Sequence, residues 1–135
     1  MSTPSITRST EIVDLALVVP RPTMTQTVYG LVDIATERVR QVAKWGVQTR
    51  PDGTDSLRYA ATAKAAQETT DRRARNGDLT WRDILNEEVM EAFAEEDTDA
   101  LRTELVQVAA VALSWVEDID RKAADAEQAE DAVSW

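Results

Sequence analysis

A chain of 135 residues is long enough for one domain with a real core and too short for two. Its 15 Lys and Arg against 25 Asp and Glu leave a net charge of −10, which argues against wrapping a nucleic-acid duplex, where phosphates demand basic side chains. Cys and His are both absent, which removes disulfides, thiol chemistry, the commonest general base and the commonest zinc or copper ligand.

No apolar run approaches the ~18 residues of a membrane span, and the opening residues carry no signal-peptide pattern. A cytoplasmic chain without a membrane partner is expected. Residues 1–26 read as an N-terminal arm, partly ordered or packed on a partner. Within it, the β-branched stretch 11–19 fits an edge strand, a short helix or part of that arm, and Pro20-Arg21-Pro22 rules out helix continuation. A helix is predicted over 27–45, with Val28, Leu31, Val32, Ala35, Val39 and Val42 on its apolar face. Gly46 and the turn Pro51-Asp52-Gly53 close it.

The Ala-rich stretch 57–75 predicts a second helix stopped by Asn76-Gly77. Thr80 and Asp83 resemble a capping box that opens a third helix at Trp81. Asp97-Thr98-Asp99 is a tight turn with an N-cap ready for a fourth helix reaching about Arg121. The acidic stretch 123–135 either extends that helix or frays. A turn this short makes helices three and four an antiparallel hairpin. The predicted class is all-α, with a helical domain over 27–122.

The hairpin carries the chemistry. A rotation of about 100° per residue puts Trp81, Leu85, Val89 and Ala92 on one stripe, with Glu88 inside it and Glu91 at its edge. On the next helix Leu101, Leu105, Val108, Ala112, Trp115 and Ile119 form the apolar face, and Glu104 and Gln107 line one flank. Residues three apart share a helix face, so the hairpin sets Glu88 and Glu91 opposite Glu104 and Gln107, with Glu87 at the side. Two like charges about 6 Å apart repel by roughly 2–3 kcal/mol at an effective dielectric near 20. A divalent cation relieves that repulsion, and ligands made only of oxygen favour Mg²⁺, Mn²⁺ or Ca²⁺. The plainer alternative is a solvated acidic face: residues 86–135 hold 15 acidic side chains and 3 basic ones, and Glu is a strong helix former. The apolar setting of Glu88 weighs against that alternative.

The first helix offers a second surface. Arg38, Gln41, Trp45 and Gln48 form a polar stripe beside its apolar face. An indole among a guanidinium and two amides suits stacking on and reading a nucleobase, and Arg38 and Lys44 suit phosphates. A Trp that covers the edge of a core is the competing explanation.

Glu-x-x-Glu on one helix, then a short gap and Glu-x-x-Asp on the next, resembles the signature of the MazG-like all-α nucleotide pyrophosphohydrolases. Here it reads EEVMEA at 87–92 and ELVQVAA at 104–110, and ERVRQVAKWGVQTRPDGT at 37–54 looks like the first-helix element of that superfamily. The resemblance covers residues 28–120. It implies a four-helix bundle completed by assembly into a homodimer or homotetramer, with the active site at or near a subunit interface. It further implies Mg²⁺-dependent cleavage of a nucleoside triphosphate between the α and β phosphates, giving monophosphate and pyrophosphate; Mn²⁺ is a substitute. Glu88, Glu91 and Glu104 then correspond to metal ligands, and Gln107 stands where the motif has Asp. With no His, the proton acceptor falls to Glu87 or Glu91. The same resemblance gives Arg38, Gln41, Lys44, Trp45 and Gln48 to the nucleotide. Because an amide is neutral and a weaker donor than a carboxylate, Gln107 keeps open a nucleotide-binding protein without turnover. An acidic helical interaction module is the third expectation.

Overall fold

The computed structural model describes residues 21–134, and the stretch 11–19, the rest of the arm before residue 21, and Trp135 lie outside the described residues. Among the described residues the chain is all-helical: α1 spans Arg21–Trp45, α2 Ser56–Asn76, α3 Trp81–Ala94 and α4 Thr98–Val133. They fall into two compact units, one ending at Gly46 and the other beginning at Val47.

In the first unit, α1 starts six residues earlier than the hydrophobic pattern predicts. Pro22 is its second residue, and the first helical turn needs no backbone donor, so a proline there is tolerated. Proline bars a helix from passing through; it does not bar one from starting. Val28, Leu31, Val32, Val39 and Val42 are all exposed. Gly46 ends the helix with a positive φ of 71° while its N–H bonds the Val42 carbonyl at 2.8 Å.

In the second unit, α3 is the middle helix and packs against α2 on one side and α4 on the other. Asp55 caps α2 by accepting from the Arg58 N–H, and Gly77 closes it in the left-handed conformation, at φ 79°. Small residues line the α2–α3 seam. Ala66 is buried, and a groove of about 230 Å³ beside it is bordered by Thr62, Thr69 and Asn86. Thr80 and Asp83 form the full reciprocal capping box at the start of α3. The buried Asp83 carboxylate also takes the Thr80 hydroxyl at 2.7 Å and the Arg73 guanidinium at 3.4 Å. Its bonds from Thr80 hold it below the usual carboxylate range, with Arg73 and Arg82 adding to the effect.

The turn between α3 and α4 is built from its own acids. The Glu95 carboxylate accepts the N–H groups of Glu96 and Asp97 at 3.0 and 2.9 Å, and Asp97 caps α4 through the Ala100 N–H. The loop before α2 is fixed here too: the Asp55 N–H bonds the Phe93 carbonyl at 2.9 Å, the Ser56 hydroxyl donates to Glu96, and Tyr59 packs on Phe93.

α4 continues to Val133, so 123–133 is a helix extension. Its alanines and acids are helix formers with no turn signal among them. The core is thinner than the apolar stripes predict. Ala66, Ala92 and Leu101 are the buried apolar residues among those described, Trp81 and Trp115 are half-buried, and Leu105 and Ile119 are exposed.

Candidate metal centre

Two capped helices place the carboxylates. The box at Thr80 fixes the phase of α3, so Glu88 and Glu91 leave the same face one turn apart. The Asp97 cap does the same for Glu104 and Gln107 on α4. Ala92, only 1 % exposed, follows Glu91 directly; a methyl in the seam lets the two backbones come close.

Glu88, Glu91 and Glu104 each offer one oxygen, and the three lie within 4.8 Å of one another, all half-buried. Oxygens about 2.1 Å from a Mg²⁺ ion lie about 3–4 Å apart, so shifts of about an ångström or less would close this set on one ion. Among the described residues no Lys or Arg pairs with any of the three. Among the described residues the charge therefore goes unanswered by any side-chain cation. Burial pushes the Glu88 carboxyl above its usual range, and the charges of Glu104 and Glu87 push it further. Glu91 is raised by burial first, then by Glu87, Glu88 and Glu104. Glu87 is half-buried and belongs to the same field.

Gln107 joins the group as a donor. With its amide nitrogen turned toward acceptors, it donates to the Glu104 carboxylate at 2.9 Å and to the Glu88 carboxylate at 3.2 Å. In this orientation Gln107 ties the two helices together, and coordinating a cation through its carbonyl would require the amide to turn over.

The remaining residues singled out in the sequence form smaller groups. Arg38 donates to the Gln41 amide oxygen at 2.6 Å, and the Lys44 ammonium sits 4.8 Å from the centre of the Trp45 ring. These four belong to α1 in the first unit; Gln48 follows it in the second unit, where its amide oxygen accepts from Arg50 at 3.5 Å. Trp45 is exposed, and its ring face is engaged by Lys44.

The apolar stripe reading of Trp81 missed a polar partner. Its indole N–H donates to Asp118 at 2.8 Å, and the same Asp118 oxygen takes the Lys122 ammonium at 2.7 Å. The bonds from Lys122 and Trp81 hold the Asp118 carboxyl below its usual range. The i, i+4 spacing of Asp118 and Lys122 was visible in the sequence; the indole reaching across from α3 was not.

No helix among the described residues is long and apolar enough to cross a membrane. No family model, curated protein or solved structure matches the chain.

Proposed function

We propose that the chain is a Mg²⁺-dependent nucleoside triphosphate pyrophosphohydrolase of the MazG-like kind, acting as a homodimer or homotetramer. One observation carries this reading: three half-buried carboxylates from two helices, within 4.8 Å of one another, with no Lys or Arg among the described residues to balance them. Their hard, all-oxygen chemistry suits Mg²⁺ and also Mn²⁺. Magnesium bound there supplies Lewis acidity toward phosphate oxygens and toward water. The α3–α4 hairpin holds Glu88, Glu91 and Glu104 at fixed spacing, so little reorganisation accompanies binding. In the reaction, water adds at the α phosphorus, the bond to the α–β bridging oxygen breaks, and pyrophosphate leaves. Glu91 or its neighbour Glu87 takes the proton from water, and burial favours that role for Glu91 by strengthening its hold on a proton. Arg38 and Lys44 carry the charge, and Trp45, Gln41 and Gln48 the ring and amides, that a phosphate chain and a base require.

A second reading is favoured by Gln107. An amide that already bridges Glu88 and Glu104 offsets part of their repulsion, which suits a site kept for binding without turnover.

Pyrophosphate release from a panel of canonical and modified nucleoside triphosphates, with and without Mg²⁺, separates these readings. The enzyme releases pyrophosphate only with Mg²⁺, and Glu88→Gln and Glu91→Gln abolish release while circular dichroism stays unchanged. Thermal stabilisation by Mg²⁺ plus nucleotide without turnover selects the binding protein. No stabilisation by any nucleotide selects an acidic interaction module, and measurable activity in either Gln variant refutes the metal assignment.

A further inference from the structure

The α3–α4 hairpin is closed at two ends by different means. Near the turn it is closed by apolar packing, because Ala92 and Leu101 are its buried apolar residues and both lie there. At the far end the apolar side chains, among them Leu85 and Trp115, are only half-buried, Glu117 is buried, and the Trp81 indole donates across the seam to Asp118. The carboxylates lie between these two closures, at the level where Gln107 bridges Glu88 and Glu104.

Helix geometry turns the far contact into a lever. At 1.5 Å per residue, Glu88 and Glu104 lie about 12 Å from the Asp97 turn, and Trp81 and Asp118 lie about 28 Å from it. If the helices hinge at the turn, a 3 Å opening at the far end becomes an opening of about 1.3 Å at the carboxylates. Coordination distances tolerate only ~0.2 Å. Glu88, Glu91 and Glu104 supply the force that would open the hinge, since like charges at this spacing repel.

We propose that the Trp81–Asp118 hydrogen bond is a positioning latch, which closes the open end of the hairpin against the mutual repulsion of Glu88, Glu91 and Glu104 and so sets the spacing of their oxygens. Lys122 holds the Asp118 carboxylate from its own helix and leaves it as the acceptor for the indole. Trp81 and Asp118 act through the carboxylates and touch no ligand. The latch works in the ion-free protein, so it stands or falls separately from the assignment of the metal.

The chain has no cysteine, so pairs of introduced cysteines can carry spin labels without background. Exposed Arg82 and Asp120 report on the far end, Asn86 and Ala109 on the level of the carboxylates, and Glu96 and Asp99 on the turn. Trp81→Phe keeps an aromatic ring while removing the N–H donor together with part of the indole. Pulsed dipolar spectroscopy on ion-free protein is expected to show the far pair lengthened by a few ångström, the middle pair by about half as much, and the turn pair unchanged. Adding Glu88→Gln and Glu91→Gln to Trp81→Phe should restore the wild-type distances, a rescue that a merely structural contact would not give. Asp118→Ala approaches the same bond from the other helix and serves if Trp81→Phe fails to fold. Unchanged distances, or a widening that survives the two Gln substitutions, overturn the latch. Failure of wild-type protein to bind Mg²⁺ overturns the metal reading and leaves the latch intact.

Discussion

Gln107 is where the sequence departs from the pattern it resembles, and its bonds give that departure a physical meaning. A carboxylate at 107 would add a fourth negative charge to a group that already repels itself; the amide supplies two N–H donors, to Glu88 and Glu104. The convergence of Glu88, Glu91 and Glu104 was legible because i, i+3 spacing on two helices joined by a short turn leaves little freedom. The behaviour of Gln107 was not legible, since an amide can face its neighbours with either end and only the neighbours decide. Gln107→Asp exchanges a donor for a charge. Titration calorimetry is expected to show tighter Mg²⁺ binding, at the expense of a lower melting temperature without the ion. Unchanged affinity would place residue 107 outside the coordination shell.

At the scale of the helix, local signals proved reliable wherever backbone chemistry set the boundary. The capping box at Thr80, the Asp97 cap and the Gly77 stop all lie where the sequence puts them. The apolar pattern, which begins at Val28, puts the start of α1 at residue 27, whereas the helix begins at Arg21, with Pro22 in the first turn where no backbone donor is needed. The apolar stripes overstated burial, most plainly in α1, where every residue of the predicted face is exposed, because periodicity reports which face is apolar and not how much of it is covered. Trp81 shows the same gap: its apolar ring announced itself, while its donor needed a partner 37 residues away. The Thr80 cap can be checked directly. Thr80→Ala removes one half of the box and leaves the Asp83 carboxylate without its closest donor, so chemical denaturation should show a loss of about 1–2 kcal/mol.

For the whole chain, two sets of carboxylates pull the pH dependence of stability in opposite directions. Glu88 and Glu91 hold their protons more tightly folded than unfolded, so their contribution is fully present below the ordinary carboxylate range and is lost as pH rises through their raised values. Asp83 and Asp118 do the reverse: their contribution is present above about pH 4 and disappears as pH falls through their lowered values. Melting temperature without divalent ions should therefore decline as pH rises from the ordinary carboxylate range through the raised values of Glu88 and Glu91, and also fall under strong acid. Saturating Mg²⁺ should flatten the upper limb alone, since it stabilises the ionised form of Glu88 and Glu91. An upper limb that is flat from the outset would mean that these carboxylates relax apart in solution.

α4 is about 54 Å long, and α3 is about 21 Å. Past residue 121 every described side chain of α4 is exposed, and its last turn carries Glu130 and Asp131 with no basic residue, so these charges oppose the partial charge of the helix end. Such a rod is held by its own backbone bonds and little else. Amide deuteration should accordingly run as a gradient along it, slowest around Leu101 and fastest beyond Lys122. Limited proteolysis should trim the chain from that terminus first, leaving the hairpin whole.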